Sequence, residues 1–130
     1  LMQAEFAMQD QDYSRAEQAY ATAAKLDADG AMGLMAALGQ AGALIKLDRP
    51  ADAVTLLQGL ESRATEDGRA TLRMLLGEAA EAAGKTDVAV AAYEALAASQ
   101  PGLDGEFYRS RAEALGGGKT APVKDGAENK

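Results

Sequence analysis

The clearest helical pattern lies in residues 85–96, which read Lys85-Thr86-Asp87-Val88-Ala89-Val90-Ala91-Ala92-Tyr93-Glu94-Ala95-Leu96. A small residue, Ala89, is followed four positions later by Tyr93 and three positions after that by Leu96. Positions separated by four and three residues lie on one face of an α-helix. The segment therefore predicts a helix whose apolar face contains one alanine and two large residues.

The same pattern occurs at two earlier places without gaps. Its members there are Ala16, Tyr20 and Ala23, and then Ala53, Leu57 and Leu60. The three alanines lie 37 and 36 positions apart. A regular period of this length is the signature of stacked repeats. The chain is therefore expected to contain three copies of one helical unit.

Each of the last two copies follows another helical pattern, so that the unit is a helix hairpin. Apolar residues recur with a 3.6-residue period between positions 30 and 46 and again between 69 and 83. Short turns are predicted at Asp48-Arg49-Pro50 and at Gly84-Lys85-Thr86. Pro50 suits a helix start and Gly84 a left-handed helix end, and Thr86 or Asp87 could cap the next helix. Looser joints are expected at residues 27–30, 66–68 and 99–102.

These patterns predict an all-α domain over residues 1–115. Its hairpins cover about residues 1–26, 31–64 and 69–99. A final helix covers about 104–115 and is either a cap or the first half of a fourth repeat, and residues 116–130 are expected to form a flexible tail. The composition agrees, because about a quarter of the chain is alanine, the best helix former, and only 5% is aromatic.

The composition also excludes several kinds of function. The chain has 13 cations against 20 carboxylates, a net charge of −7, which makes nucleic acid and anionic membrane surfaces poor partners. It has no cysteine and no histidine, so thiolate chemistry and the commonest general base and metal ligand are missing. No apolar run reaches the length of a membrane span, and no direct membrane insertion is expected of these residues.

The third repeat resembles the tetratricopeptide repeat. The matching residues are Leu76-Gly77, Gly84, Ala89, Tyr93, Leu96 and Pro101. Arg73 and Ala37 stand where that family usually has tryptophan, and Ala41 stands where it has glycine. The resemblance implies an α-solenoid of about three hairpins plus a C-terminal capping helix. It further implies a protein-interaction scaffold with a protein or peptide partner, no cofactor and no catalysis.

A narrower resemblance concerns residues 30–115. The strings Ala36–Ala41, Arg49–Ala53 and Thr71–Ala79, with the short closing helix, are similar to the repeat domains of bacterial envelope proteins that assist the protein-export translocon. This resemblance implies the periplasm, with a signal or anchor upstream of Leu1, and leaves the cytoplasm as the alternative.

In tetratricopeptide stacks the first helix of each pair lines a concave groove. The positions that the resemblance assigns to this groove are Met8, Met35, Leu38, Gly42, Ile45, Lys46, Met74, Glu78, Glu81 and Ala82. Methionines there would form an adaptable apolar surface for a peptide. The competing interpretation is that the methionines fill the core. Capture of a C-terminal carboxylate is doubtful, because Leu38, Gly42, Met74 and Glu78 stand where the family's carboxylate-binding members have polar residues.

Other chemistry is weaker. Glu78 and Glu81 could share a helix face, but solvated surface carboxylates are the simpler interpretation. Asp10, Asp12, Asp27 and Asp29 lack the spacing of a calcium loop, and turn or capping roles are expected of them. Gly33, Gly39, Gly42 and Gly77 lie inside helices and are expected to permit close packing. No metal site is predicted.

Two functions therefore remain open, and neither is enzymatic. The first is a module that binds a partner polypeptide in its concave groove, in a bacterial envelope or export assembly. The alternative is a structural repeat segment that self-associates, as a homo-oligomer, or packs within a larger protein. The exposed stacking face of the short first helix favours this alternative.

Overall fold

The computed structural model describes residues 1–116, and these residues contain seven α-helices and no strand. The helices are α1 Met2–Gln9, α2 Tyr13–Leu26, α3 Ala31–Lys46, α4 Pro50–Leu60, α5 Glu66–Ala82, α6 Thr86–Ser99 and α7 Gly102–Ala114. A 3-10 turn, Glu61–Arg63, extends α4. The all-α prediction is confirmed. The predicted tail lies outside the described residues except for Gly116.

The helix boundaries agree with the sequence pattern except at three starts. Residues 66–68, predicted as a joint, form the first turn of α5, because the Thr65 hydroxyl accepts a hydrogen bond from the Gly68 N–H at 3.3 Å. Thr86 does not cap α6: it is the first helical residue, and Lys85 precedes it without a side-chain cap. The last helix begins at Gly102 rather than at 104.

Two of the four aspartates singled out in the sequence have capping roles. Asp12 accepts from the Arg15 N–H at 3.3 Å at the start of α2. Asp27 accepts from the Gly33 N–H at 3.2 Å and so helps to fix the first turn of α3. These bonds satisfy helix N–H groups that have no partner within the helix.

The turn inside each hairpin has the same backbone geometry. Gln11, Asp48 and Gly84 are left-handed, with φ of 61°, 61° and 76°. The next N–H in each case donates to a carbonyl five residues back, from Asp12 to Ala7, Arg49 to Leu44 and Lys85 to Ala80, at 2.8–2.9 Å. This is the Schellman arrangement, which ends a helix and reverses the chain. The prediction of a left-handed Gly84 is confirmed.

The three alanines of the repeat pattern lie at tight contacts within the stack. Ala16, Ala53 and Ala89 each have 0% exposed surface. Around Ala53 and Ala89 runs one continuous core, whose largest fully buried side chains are Leu57, Leu72, Leu96 and Val54. Ala16 belongs to a smaller cluster with Ala7 and Ala43. Small side chains at these points allow helix axes to approach to about 8–10 Å.

The large residue four positions after the alanine packs against an adjacent helix. In the first copy the Tyr20 ring lies against Gly39 of α3, and a Cβ there would come within 2.5 Å of Tyr20 Cε1. In the third copy Tyr93 covers Gly77 and stacks on Tyr108 of α7, with ring centroids 6.1 Å apart. Gly39 and Gly77 are therefore needed for close packing, as predicted.

Gly42 does not share that role, and its assignment to close packing is wrong. No atom lies within 4 Å of a Cβ built on Gly42, so the space beside it is open.

None of the helices in residues 1–116 combines the length and apolarity that a bilayer crossing requires.

Candidate functional site

An open cleft of about 580 Å³ lies on the side of the stack formed by α1, α3 and α5. The lining residues that the structure describes carry no formal charge, although a quarter of the chain is charged. They are Met8, Tyr20, Ala31, Leu34, Met35, Leu38, Gly39, Gly42, Thr65, Gly68, Thr71 and Leu75. The cleft is therefore a mainly apolar groove along the first helices of three successive hairpins.

Four of the predicted groove residues come together in this cleft. Met8 contributes from α1, and Met35, Leu38 and Gly42 contribute from α3. The three residues of α3 line the cleft together because residues 31, 35, 38 and 42 lie on one face of that helix. Met35 is 61% exposed at this surface, whereas Leu38 is buried and forms the floor.

The remaining predicted groove residues do not line the cleft. Ile45 is half-buried against the core, and Lys46 is exposed at the end of α3. Met74, Glu78 and Ala82 are exposed on α5, beyond the cleft wall. Glu81 is half-buried between α6 and α7, where its carboxylate is already bound.

The Glu81 carboxylate links three helices. It accepts a hydrogen bond from the Tyr93 hydroxyl at 3.1 Å and forms an ion pair with Arg111 of α7. Burial, and then the hydrogen bond to Glu81, raise the pKa of Tyr93 to about 12. These contacts hold the last helix on the stack, so Glu81 has a structural role and does not pair with Glu78 as an acid–base couple.

The methionines are surface residues rather than core residues. All five lie in the described part of the chain, and none of them is buried. Met8 is half-buried at one end of the cleft, and Met74 is 38% exposed on α5. The interpretation that the methionines fill the core is therefore wrong, and two of the five, Met8 and Met35, line the cleft.

Sequence reasoning missed part of the cleft. Tyr20 comes from a second helix, and Thr65, Gly68, Thr71 and Leu75 come from the side of α5 that faces α3. Gly68 fell in the predicted joint and Thr65 directly before it, and no pattern of spacing marks them as lining residues. Partial burial and the nearby Glu5 raise the pKa of Tyr20.

The cleft has the chemistry of a binding surface. Among the lining residues that the structure describes, Tyr20, Thr65 and Thr71 bring the polar side chains, and none is an acid, a base or a cation. Among the side chains that the structure describes, no group of three or more Asp or Glu is arranged to hold a metal ion. Apolar walls with few polar groups are typical of sites that bind apolar ligands or peptide side chains.

Comparison with known protein families gives one result. The model of the tetratricopeptide repeat matches the chain over residues 1–69, 38–104 and 74–117. The overlapping matches cover all seven helices. No curated protein and no solved structure matches the chain.

Proposed function

Since the chain belongs to the tetratricopeptide repeat family, whose repeats generally mediate protein–protein interaction, we propose that it is a non-catalytic module that binds a partner polypeptide in the cleft. The observation that carries this proposal is the mainly apolar lining that the described residues of α1, α3 and α5 contribute. Met8, Met35, Leu38 and Gly42 are its predicted contacts.

The exposed apolar area explains why a partner would bind there. The Met35 side chain is exposed, and no side chain fills the space beside Gly42, so the apolar surface of the cleft is in contact with water. Covering such surface releases roughly 25 cal/mol per Å². Thioethers adapt to differently shaped side chains, which suits a peptide without a fixed conformation. A charged anchor residue would lose its hydration in the cleft without gaining a partner.

Filling the cleft tests this function. The substitution Gly42→Leu places a side chain in the open space and replaces a helical glycine, so it blocks the groove without cost to the helix. Gly59→Leu is the matched control, because Gly59 lies inside α4 and also has no atom within 4 Å of its added Cβ. Peptides are first selected on the wild-type protein from a random library of about 12 residues, which spans roughly 40 Å when extended.

Binding of the selected peptides is then measured by fluorescence anisotropy. Gly42→Leu should weaken it by about tenfold or more, equivalent to at least ~1.4 kcal/mol, and Gly59→Leu should leave it unchanged. The substitution Met35→Glu should weaken it as well. Binding that survives both Gly42→Leu and Met35→Glu would exclude the cleft as the site.

Self-association is the second candidate, and the outer face of the first hairpin favours it. A shallow cleft of about 480 Å³ lies there, bordered by Leu1, Met2 and Leu26, and the latter two are largely exposed. Under this candidate a second copy packs on that face. Sedimentation equilibrium would then show a concentration-dependent dimer that Leu26→Glu abolishes, whereas a monomer at all concentrations contradicts it.

We also propose a bacterial envelope or protein-export assembly as the setting of this module. Only the similarity of the strings Ala36–Ala41, Arg49–Ala53 and Thr71–Ala79 to periplasmic repeat domains supports it. Fractionation of cells that express the tagged natural protein tests the compartment, and recovery solely with the cytoplasm would refute it.

A further inference from the structure

We propose that the partner's path continues from the cleft across α5 to α7, and that the partner carries a lysine or arginine between two apolar anchor residues. The inference rests on the proposed function and extends it in two ways. It adds a second apolar contact, Leu103 and Phe107, and it assigns Glu78 as the residue that meets the partner's cation.

The last helix has a second stripe of side chains, which faces solvent apart from an edge contact between the rings of Phe107 and the neighbouring Tyr108, with centroids 5.3 Å apart. Its first stripe, Gly105, Tyr108, Ala112 and Leu115, is buried or half-buried. The other stripe consists of Leu103, Phe107, Ser110 and Ala114, at helical spacing, and all four are exposed. Leu103 is 82% and Phe107 64% exposed. A helix that served only as a polar cap would not carry two large apolar residues toward solvent.

This stripe corresponds to the cleft wall of α3. Gly33 of α3 and Gly105 of α7 have the same surroundings, since a Cβ on either would collide with a carbonyl oxygen of the preceding joint, that of Asp27 or of Gln100. The two glycines therefore mark equivalent positions. Counting from them, Leu103 and Phe107 stand where α3 has Ala31 and Met35, which line the cleft.

The ion pair between Glu81 and Arg111 fixes how α5 and α7 lie beside each other. Both helices are antiparallel to α6, so they run in the same direction. Counting back one helical turn from this pair places Phe107 of α7 level with Glu78 of α5, and counting back a second turn places Leu103 level with Met74. Met74 and Glu78 thus form the strip between the cleft and the α7 stripe.

The charge of this strip selects the partner. Arg111 neutralises Glu81, whereas exposed Glu78 has no ion pair within residues 1–116. Apolar surface lies on both sides of this carboxylate, on α3 and on α7. A partner with a cation between two apolar anchor residues matches the Glu78 carboxylate and the apolar surfaces of α3 and α7. The net charge of −7 attracts such a partner at longer range.

The spacing of the helices sets the length of the partner segment. Two steps between neighbouring helices, each about 10 Å, separate α3 from α7 by roughly 20 Å. An extended chain advances about 3.3 Å per residue, so the two anchors are about six residues apart with the cation between them. A peptide of about 12 residues is long enough to reach both.

The experiment repeats the random-library selection on wild-type protein, Glu78→Lys and Glu113→Lys. Glu113 is an exposed carboxylate of α7 outside the stripe, so Glu113→Lys makes the same charge change elsewhere. Wild-type protein and Glu113→Lys should enrich peptides with Lys or Arg between apolar residues. Glu78→Lys should instead enrich Asp or Glu at that place. Phe107→Ser should weaken the wild-type consensus peptide several-fold in the anisotropy assay.

The possible outcomes distinguish this inference from the proposed function, peptide binding in the cleft. If Gly42→Leu weakens peptide binding but Glu78→Lys and Phe107→Ser do not change it, the path across α5 to α7 is wrong and binding in the cleft still holds. If Gly42→Leu does not change peptide binding, or if the library yields no enriched sequence on wild-type protein, both the cleft and the path across α5 to α7 are wrong.

Discussion

At the scale of single residues, the three hairpin turns differ only in the residue that takes the left-handed conformation. Gln11, Asp48 and Gly84 have almost the same φ, yet only glycine adopts it without a steric cost. For other residues this cost is about 1–2 kcal/mol, and it is smaller for aspartate, whose short polar side chain tolerates the region. Two of the three turns therefore contain residues that are not optimal for stability.

Glycine at these turns should stabilise the protein. We expect Gln11→Gly to raise the free energy of unfolding by ~0.5–1 kcal/mol, because the steric gain exceeds the entropy that glycine adds to the unfolded chain. Asp48→Gly should give a smaller gain, and Gly84→Ala a loss of ~1 kcal/mol or more. Urea denaturation measures all three variants, and a destabilised Gln11→Gly would contradict the assigned turn geometry.

At the scale of secondary-structure elements, the contact between α5, α6 and α7 depends on one buried tyrosine. The Tyr93 hydroxyl donates to Glu81, which also binds Arg111 of α7. Burial, and then the hydrogen bond to Glu81, favour the protonated phenol, which is why the pKa of Tyr93 rises to about 12 in the folded state. The unfolded value is about 10.

Alkaline pH should therefore loosen this contact. The stabilisation by the protonated phenol is complete below pH ~10 and is lost as the pH rises from ~10 to 12, because the unfolded chain ionises first. The melting temperature should fall over this range, and Tyr93→Phe should show a shallower fall because it has no hydroxyl to ionise. All other ionisable groups are the same in both proteins, so the difference between the two curves isolates Tyr93. Parallel curves for the two proteins would disprove the role given to this hydroxyl.

At the scale of the whole molecule, stability is distributed unevenly along the stack. The large, fully buried side chains belong to α4, α5 and α6, whereas the buried residues of α1 and α2 are all alanines. An alanine buries little apolar surface, so the first hairpin gains less free energy from packing. Repeat stacks respond to such differences locally, since each unit contacts only its neighbours.

The first hairpin should open before the others. In hydrogen exchange followed by mass spectrometry, amides of α1 and α2 should exchange faster than those of α4, α5 and α6 under native conditions. The substitution Ala16→Gly should increase this exchange in the first hairpin and leave that of α6 unchanged. Equal protection along the stack would contradict this prediction.

The sequence by itself determined the helices, their pairing and the positions of the tight contacts. Ala16, Ala53 and Ala89 could be located because packing at a helix crossing requires a small residue at a fixed position of every repeat. Resemblance to a known family then predicted Met8, Met35, Leu38 and Gly42 as groove residues, and these four line one cleft. The start of α5 was missed because a hydroxyl cap from Thr65 outweighed the turn-forming composition of residues 66–68.

Only the tertiary structure decided which side chains share a surface. Tyr20 lines the cleft because its ring extends from α2 onto Gly39. Glu81 does not line it, and its carboxylate instead binds Arg111, 30 positions later. Helical spacing predicts which residues share a face of one helix. The distance and register between two helices depend on how their side chains fit together, and a one-dimensional pattern does not contain that fit.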